Sequence, residues 1–216
     1  MPIVTQDTAP RPAVQPTHAD PASRVRRMLG SAREHGVNDI ETDGLREVES
    51  ALARFDAPVD IRVRGGLGSG RRTLAAALRT RRGWRPTIDD LDELAAPGRP
   101  VGTPPDVEIV CLRTAPCRHE EAWVRRPRAH ALLVVATGVD RADPPRWARD
   151  LPTVDARRAS DGSIDVVVTF LDRALDGLAA VRGARLEAEL ERLAVHDVVG
   201  DLAEAALCAL GQQGRT

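Results

Sequence analysis

Hydrophobic residues change their spacing along the chain, and each spacing predicts a different kind of element. Two early segments, at residues 23–35 and 41–55, place apolar side chains three or four positions apart, as amphipathic helices do. Beyond them, Val59, Ile61 and Val63 alternate with charged residues, which is typical of a short strand. The chain therefore begins with predicted helices and continues into a strand.

Downstream, short apolar runs alternate with polar helical segments. The runs at residues 107–112 and 130–136 are largely apolar, as expected for strands inside a parallel sheet. This alternation favours an α/β fold in which a parallel sheet is covered by helices. The other predicted elements are strands at 84–88 and 153–156, helices at 89–94, 119–126 and 144–149, and a loop at 97–105.

The last third of the chain has a mostly helical pattern. Apolar residues of the segment 164–178 share one helical face, although its Val-Val-Val-Thr-Phe stretch also suits a strand. A second amphipathic pattern covers residues 186–209, and Gly200 is expected to kink or split it. The predicted organisation is a disordered tail at 1–21, helices at 22–57, an α/β core at 58–160 and a C-terminal helical segment at 161–216.

The composition narrows the chemistry that the chain can perform. Its 216 residues include no lysine, so all 31 basic residues are arginine, and neither a Schiff-base lysine nor a phosphate-loop lysine can exist. A formal net charge of −1 argues against purely electrostatic binding to nucleic acid or membranes. We expect a cytoplasmic protein with free thiols, because we find no signal peptide, no membrane-spanning run and an odd number of cysteines.

A glycine-rich segment connects the predicted strand at 59–63 to a helix. It reads Gly-Gly-Leu-Gly-Ser-Gly from Gly65 to Gly70, and the helical pattern starts at Arg71. Glycines let successive backbone N–H groups converge on an anion, and the helix adds its positive end. The layout predicts a phosphate-binding loop, with a glycine-rich turn that binds nothing as the alternative. The predicted binding residues are Gly65, Gly66, Gly68, Ser69, Gly70, Arg71, Arg72 and Thr73.

The common phosphate loop ends in Gly-Lys-Ser/Thr. The glycine-rich segment can be aligned with it in two ways. In the first, Gly65 and Gly70 are the anchoring glycines. Arg71 then takes the place of the lysine and Arg72 that of the hydroxyl. The second alignment starts one residue later, so that Arg72 replaces the lysine and Thr73 supplies the hydroxyl that binds a metal ion. In either alignment an arginine can hold phosphate through charge-assisted hydrogen bonds.

Two later segments follow the glycine loop in the same order as the sequence motifs of a known family. The run at 130–136 leads into Thr-Gly-Val-Asp at residues 137–140, and Asp-Ala-Arg follows at residues 155–157. These segments resemble the Asn/Thr-Lys-x-Asp and Ser-Ala-Lys motifs of translation-factor-like P-loop GTPases, including the Era/Ras-like and bacterial dynamin-like branches. The resemblance covers residues 59–180.

The resemblance implies a three-layer P-loop NTPase-like domain with a parallel-rich sheet, flanked by N- and C-terminal helices. It implies GTP or GDP as the ligand, Mg²⁺ as the metal ion and Thr73 as a metal ligand. Thr137 and Asp140 would bind the nucleotide, since the Asp140 carboxylate can accept hydrogen bonds from the guanine ring N–H and amine. The implied partner is an intact GTPase relative or another protein.

The sequence also departs from the family pattern. Gly138 replaces the lysine that packs over the base. The loop after residues 107–112 reads Arg-Thr-Ala-Pro instead of Asp-x-x-Gly, so no carboxylate supports Mg²⁺ there. Thr87 is a candidate switch threonine. Because hydrolysis needs a metal ion, a positioned water and charge stabilisation together, these losses predict nucleotide binding with little or no hydrolysis.

Three functions are open from the sequence. A degenerate GTPase-like protein would bind guanine nucleotide weakly, whereas a pseudo-GTPase interaction module would bind none and pair with a partner protein. An enzyme of another P-loop branch, such as a kinase, is the third. Arginines cluster at 62–85 and 113–128, but no nucleic-acid recognition motif accompanies them, so a solvated arginine-rich face is favoured over nucleic-acid binding.

Overall fold

The structure is a computed structural model of the chain. It describes residues 23, 25–27, 30, 39–91, 104–125, 129–195 and 200–211. The chain divides into two compact units. One contains the described residues up to Asp56 and from Ala184 onward, and the other is Ala57–Gly183. The predicted tail at 1–21 and most of the predicted loop at 97–105 lie outside the described residues.

Helices and strands alternate in the middle of the chain, and helices stand at either end. The strands are β1 (Ile61–Gly65), β2 (Thr87–Asp90), β3 (Val107–Leu112), β4 (Ala131–Thr137) and β5 (Thr153–Val154). The helices are α1 (Asp39–Asp56), α2 (Arg71–Arg82), α3 (Arg118–Arg125), α4 (Asp165–Asp176), α5 (Leu178–Ala194) and α6 (Gly200–Gly211). Short 3₁₀ turns occur at Arg146–Ala148 and Gly162–Ile164.

The five strands of the α/β unit form one parallel sheet in the order β2-β1-β3-β4-β5. Parallel neighbours need a crossover between them, and α2 lies in the crossover from β1 to β2. The order of the strands reverses at β1, because β2 lies on one side of it and β3 on the other. The predicted α/β class with a parallel sheet is confirmed, and the arrangement is compatible with a three-layer fold.

One face of the sheet packs against α2 and α4 in a single apolar core. Val63 and Ile109 come from the sheet, Leu74 comes from α2 and Leu171 from α4, and all four are fully buried. The Val-Val-Val-Thr-Phe stretch is helical, and its Val167 enters this core four residues before Leu171. Apolar residues four positions apart lie on the same face of a helix, which is why this stretch packs as a helix although its composition also suited a strand.

The α/β unit ends later than predicted. Its C-terminal boundary was expected at residue 160, whereas the compact unit extends to Gly183. The reason is α4, whose apolar side chains belong to the core shared with the sheet. The N-terminal boundary at Ala57 lies beside the predicted one.

The edge strand β2 also lies later than predicted. A strand was expected at 84–88 and a helix from Asp89, but β2 begins at Thr87 and ends at Asp90. Asp89 stands opposite Arg64 of β1, and Arg64 Nε donates to its carboxylate at 3.1 Å. This pairing across strands holds two acidic residues in extended conformation at the carboxyl end of the sheet.

The other face of the sheet carries a buried ion pair. Glu108, in β3, is fully buried, and Arg64 NH1 lies 2.9 Å from its carboxylate. The Arg64 guanidinium also lies over the ring of Trp123 in α3, 4.5 Å from its centroid, and Trp123 Nε1 donates to Glu108. Burial raises the pKa of Glu108, while Arg64 and the Trp123 hydrogen bond act in the opposite direction. Burial therefore outweighs the ion pair at this carboxyl.

A second buried ion pair joins the starts of β1 and β3. The Asp106 carboxylate accepts the backbone N–H of Asp60 at 2.9 Å. Arg182 of α5 binds the same carboxylate at 2.6 Å and also donates to the carbonyls of Ala57 and Pro58. Both charged side chains are mostly buried, so each depends on the other for compensation of its charge.

The helical unit has an apolar core of its own. Val25, Val48, Leu190 and Leu193 are fully buried in it. The amphipathic pattern at 186–209 divides as expected, since α5 ends at Ala194 and α6 begins at Gly200. Within the described residues, no helix combines the length and apolar character needed to cross a membrane.

We expect Asp106→Ala to lower the free energy of unfolding of the α/β unit by about 3–5 kcal/mol, because it leaves the buried Arg182 without its counter-charge. All three tryptophans lie in this unit, so their fluorescence during urea unfolding measures its stability. Asp172→Ala, which removes an exposed ion pair, is the matched control and should change the value by less than about 1 kcal/mol. Equal effects would contradict a special role for burial.

Glu108 gives a prediction that depends on pH. Its raised pKa means that the folded state holds this proton more tightly than the unfolded chain. Its contribution to stability is therefore complete below the ordinary pKa of 4.5 and declines as pH rises through the folded value. Glu108→Gln mimics the protonated carboxyl, so the stability of the wild type relative to this variant should fall from pH 4.5 towards neutrality. A relative stability that rises with pH in urea unfolding would contradict this assignment.

Candidate functional site

The glycine loop leaves β1 through a very close approach to β3. A Cβ atom on Gly65 would lie 2.6 Å from the backbone oxygen of Cys111 and 2.2 Å from Ser69 Oγ. Real side chains do not tolerate such distances, so only glycine fits at the end of β1. Ser69 is itself buried, and its Oγ has no hydrogen-bond partner in the part of the chain that the structure describes.

Two glycines in left-handed conformation lead the loop into α2. Gly68 has φ of 75° and Gly70 has φ of 77°, values that residues with a side chain rarely adopt. Helix α2 begins at Arg71 with no side-chain cap and no acidic residue in its first turn. Its first N–H groups have no acceptor within the helix, so this end of α2 carries uncompensated positive potential that suits an anion.

Arg71 folds back over the loop. Its NH1 donates to the carbonyls of Gly65, at 2.7 Å, and Gly66, and its NH2 lies 2.5 Å from the carboxylate of Asp90. The residue is only 7% exposed, so the charge of its side chain is compensated within the protein. In the first alignment with the common phosphate loop Arg71 would take the place of the lysine, and here its guanidinium is turned towards the loop carbonyls and Asp90.

A cavity of about 690 Å³ opens beside the loop, at the carboxyl ends of β4 and β5. This volume lies within the range of about 300–1,000 Å³ of small-molecule sites. The cavity wall is formed by Gly68, Gly70, Thr73, Arg113, Thr137, Gly138, Val139, Asp140, Arg141, Thr153, Val154, Asp155, Ala156 and Arg157.

The cavity brings together half of the residues predicted to bind a ligand. Those on its wall are Gly68, Gly70, Thr73, Thr137 and Asp140. Those outside it are Gly65, Gly66, Ser69, Arg71 and Arg72. Gly68 and Gly70 therefore bring the glycine loop to the cavity, while Gly65 is packed against β3 and Ser69 is buried.

Thr137, at the end of β4, connects that strand to the glycine loop. Its hydroxyl lies 2.6 Å from the carbonyl oxygen of Ser69 and 3.3 Å from that of Leu112. The hydroxyl proton is used inside the protein, so Thr137 positions the loop instead of donating to a ligand. The next residue, Gly138, has φ of 65° and turns the chain along the cavity wall.

Asp140 stands on the exposed part of the wall. One of its carboxylate oxygens accepts the backbone N–H of Ala142 at 2.9 Å, which fixes a local turn. The other oxygen has no hydrogen bond to any described residue of the chain. A carboxylate held in this way can accept hydrogen bonds from a ligand that carries neighbouring N–H donors.

Asp155 and Arg157, also on the wall, form a local ion pair. Arg157 donates to the Asp155 carboxylate through its side chain, at 2.5–3.1 Å, and through its backbone N–H. These hydrogen bonds lower the pKa of Asp155 to about 2. The pair is therefore ionised at neutral pH and adds no net charge to the cavity.

Arg113 lies on the cavity wall although the sequence did not place it in the site. It directly follows β3, and its NH1 donates to the carbonyl of Gly68 at 3.2 Å. Arg141 and Arg157, also on the wall, have carboxylate partners in Asp161 and Asp155. Arg113 has no carboxylate partner among the described residues. The sequence could have indicated Arg113 only through its place directly after a predicted strand, because the carboxyl ends of parallel strands meet at one edge of the sheet.

The residues around the loop do not fit Mg²⁺. This ion demands oxygen ligands in octahedral geometry, but the carboxylates at the end of β2 are both paired with arginine, Asp89 with Arg64 and Asp90 with Arg71. Thr73 is on the cavity wall, yet no group of three or more His, Cys, Asp or Glu side chains in the described chain is placed to bind a metal ion. The assignment of Thr73 as a metal ligand therefore lacks supporting donors.

Two further expectations change with the fold. Thr87 begins β2, at the opposite end of that strand from the glycine loop, so it is not placed to act as a switch threonine.

Many clustered arginines are neutralised within the chain, which argues against a polyanion-binding patch. The ion pairs join Arg62 to Asp60, Arg64 to Asp89, Arg71 to Asp90, Arg81 to Asp165 and Arg82 to Asp172.

The site therefore consists of a cavity between a glycine loop and two strand ends, with one unpaired carboxylate oxygen and one arginine that lacks a carboxylate partner in the described chain. Comparisons of the chain with protein-family models, with curated proteins and with solved structures give no significant match.

Proposed function

We propose that the α/β unit binds a guanine nucleotide, GTP or GDP, in this cavity and hydrolyses it little or not at all. The observation that carries the proposal is the meeting of three sequence segments at one cavity. The glycine loop, residues 137–140 and residues 155–157 are far apart in the chain, and all three line the same wall. These are the segments that resemble the nucleotide-binding motifs of P-loop GTPases.

Different residues of the cavity wall suit the phosphate and the base of a nucleotide. Phosphate would bind near Gly68, Gly70 and Thr73, where the first N–H groups of α2 have no acceptor within the helix. The base would bind near Asp140, whose unpaired oxygen can accept from the ring N–H or the amine of guanine. The guanine ring N–H would donate to this oxygen, whereas the corresponding ring nitrogen of adenine is an acceptor, so the carboxylate would favour guanine.

Efficient hydrolysis is not expected at this site. Phosphoryl transfer depends on metal ions that neutralise charge and on a group that orients the attacking water. The carboxylates at the end of β2 are paired with arginine, and no carboxylate stands at the end of β3, where the chain continues with Arg113. We therefore place the chain among binding proteins.

Leu67 supports a second candidate function, a pseudo-GTPase interaction module. This side chain lies in the glycine loop and is 90% exposed. In that function Leu67 would contact the surface of another protein, such as an intact GTPase relative. This function becomes the preferred one if no nucleotide binds.

A thermal-shift titration tests the proposal. We expect GTP and GDP to raise the melting temperature and ADP to have a much smaller effect. Ligand at 100 times its Kd should add about 2.7 kcal/mol to the free energy of unfolding. A shift with ADP equal to that with GDP would contradict the role of Asp140, and no shift with any nucleotide would contradict the proposal itself.

Asp140→Asn sharpens this test. The Asn side chain keeps an oxygen for the turn at Ala142 but replaces the other oxygen with an amide that donates. We expect GDP affinity measured by calorimetry to fall about tenfold or more, since a hydrogen bond to a charged group contributes about 1.5–3 kcal/mol. Asp143→Asn is the control, because Asp143 is exposed and lies outside the cavity wall.

A further inference from the structure

We infer that this site binds its nucleotide as a metal-free anion, with Arg113 as the cation that contacts the phosphates. The inference rests on the proposed function and adds to it the charge state of the ligand and the residue that recognises it. Three features of the described residues carry it: the pairing of the strand-end carboxylates, the placement of Arg113 and the direction of α2.

Arginine side chains occupy or pair with the positions that hold a metal ion in a common phosphate loop. Arg72 falls at the hydroxyl position when Gly65 and Gly70 anchor the loop. At the end of the neighbouring strand, the carboxylate of Asp90 lies 2.5 Å from Arg71 NH2. A divalent cation would have to displace a buried guanidinium to reach this carboxylate, and it would approach a second arginine at the same time. Coulomb repulsion therefore opposes metal binding here.

The Arg113 side chain runs beside two glycines of the cavity wall, Gly138 and Gly68. A Cβ atom on Gly138 would lie 3.5 Å from Arg113 Nε and 3.7 Å from its Cγ, and a Cβ on Gly68 would lie 3.6 Å from its NH1. The aliphatic part of the side chain thus passes over Gly138, and the guanidinium reaches the glycine loop. The bond from NH1 to the Gly68 carbonyl keeps it there.

This placement leaves donors for a ligand. A guanidinium has five N–H donors in a planar fork that matches two phosphate oxygens. One bond, to the Gly68 carbonyl, is made within the described chain. The start of α2 lies on the same cavity wall, at Gly70 and Thr73. A phosphate between Arg113 and this helix end would receive both charge-assisted and backbone hydrogen bonds without a metal ion.

Free nucleotide and its Mg²⁺ complex should therefore behave differently. Mg²⁺ neutralises two of the phosphate charges and keeps several of its own waters. In the complex, Arg113 would meet a less negative and bulkier ligand. The site should select the free nucleotide, which is the reverse of the preference of metal-dependent P-loop enzymes.

Calorimetric titration of the full chain with GDP, in EDTA and in Mg²⁺, tests this inference. We expect binding in EDTA that becomes weaker when Mg²⁺ is added. Arg113→Ala should weaken GDP binding about tenfold or more, and Arg113→Lys should weaken it less, because the charge is kept and the fork is lost. Arg118→Ala is the control, since this exposed arginine lies outside the cavity wall.

Guanosine, which has no phosphate, separates recognition from structure. Arg113→Ala should leave guanosine affinity unchanged, whereas a collapse of the cavity would weaken guanosine and GDP alike. GDP binding only in the presence of Mg²⁺, or unaffected by Arg113→Ala, would overturn this inference and leave the proposed function standing. A wild-type chain that binds GDP in neither buffer overturns both.

Discussion

The close approach of Gly65 to β3 is the constraint on which the site depends. Because this residue has no Cβ, β1 can end within van der Waals distance of the Cys111 carbonyl. The loop then turns tightly enough for Thr137 to bind the carbonyl of Ser69 at 2.6 Å. A side chain at Gly65 would push the first half of the loop away from β3, and β4 would lose its connection to the second half. One missing methyl group thus sets the distance between the glycine loop and the end of β4.

The absence of lysine gives the loop a different internal chemistry. A lysine ammonium is a compact charge, whereas the fork of Arg71 reaches two carbonyls of the loop and the carboxylate of Asp90 together. The loop is thereby stabilised from inside, and the carboxylate is no longer available to a cation. Arg64 likewise forms an ion pair with Asp89 on the adjacent strand. The carboxylates at the end of β2 thus belong to ion pairs that join neighbouring parts of the α/β unit.

The sequence predicted those parts of the fold that depend on local pattern. Strand β3 was placed at its observed bounds, since its largely apolar run suits a strand buried on both faces. Strand β2 was misplaced because Thr87–Asp90 has no apolar pattern, and its extended conformation depends on Arg64 of a strand 25 residues earlier. Arg113 was missed for a related reason. Its proximity to Gly68 follows from β3 lying next to β1, which no local pattern reveals.

Strand order also explains why a ligand would bind at this edge and not elsewhere on the sheet. Connections from β1 lead to β2 on one side, and β3 adjoins it on the other. Such a reversal opens a crevice at the carboxyl ends of the strands, because the flanking loops diverge there. Gly68 follows β1 and Arg113 follows β3, so the donor and the loop that it contacts both lie at this switch point. The cation that we assign to the phosphates is thus placed by topology, and any residue directly after β3 would face the same loop. An acidic residue there would favour a metal ion, whereas the arginine of this chain favours the free anion.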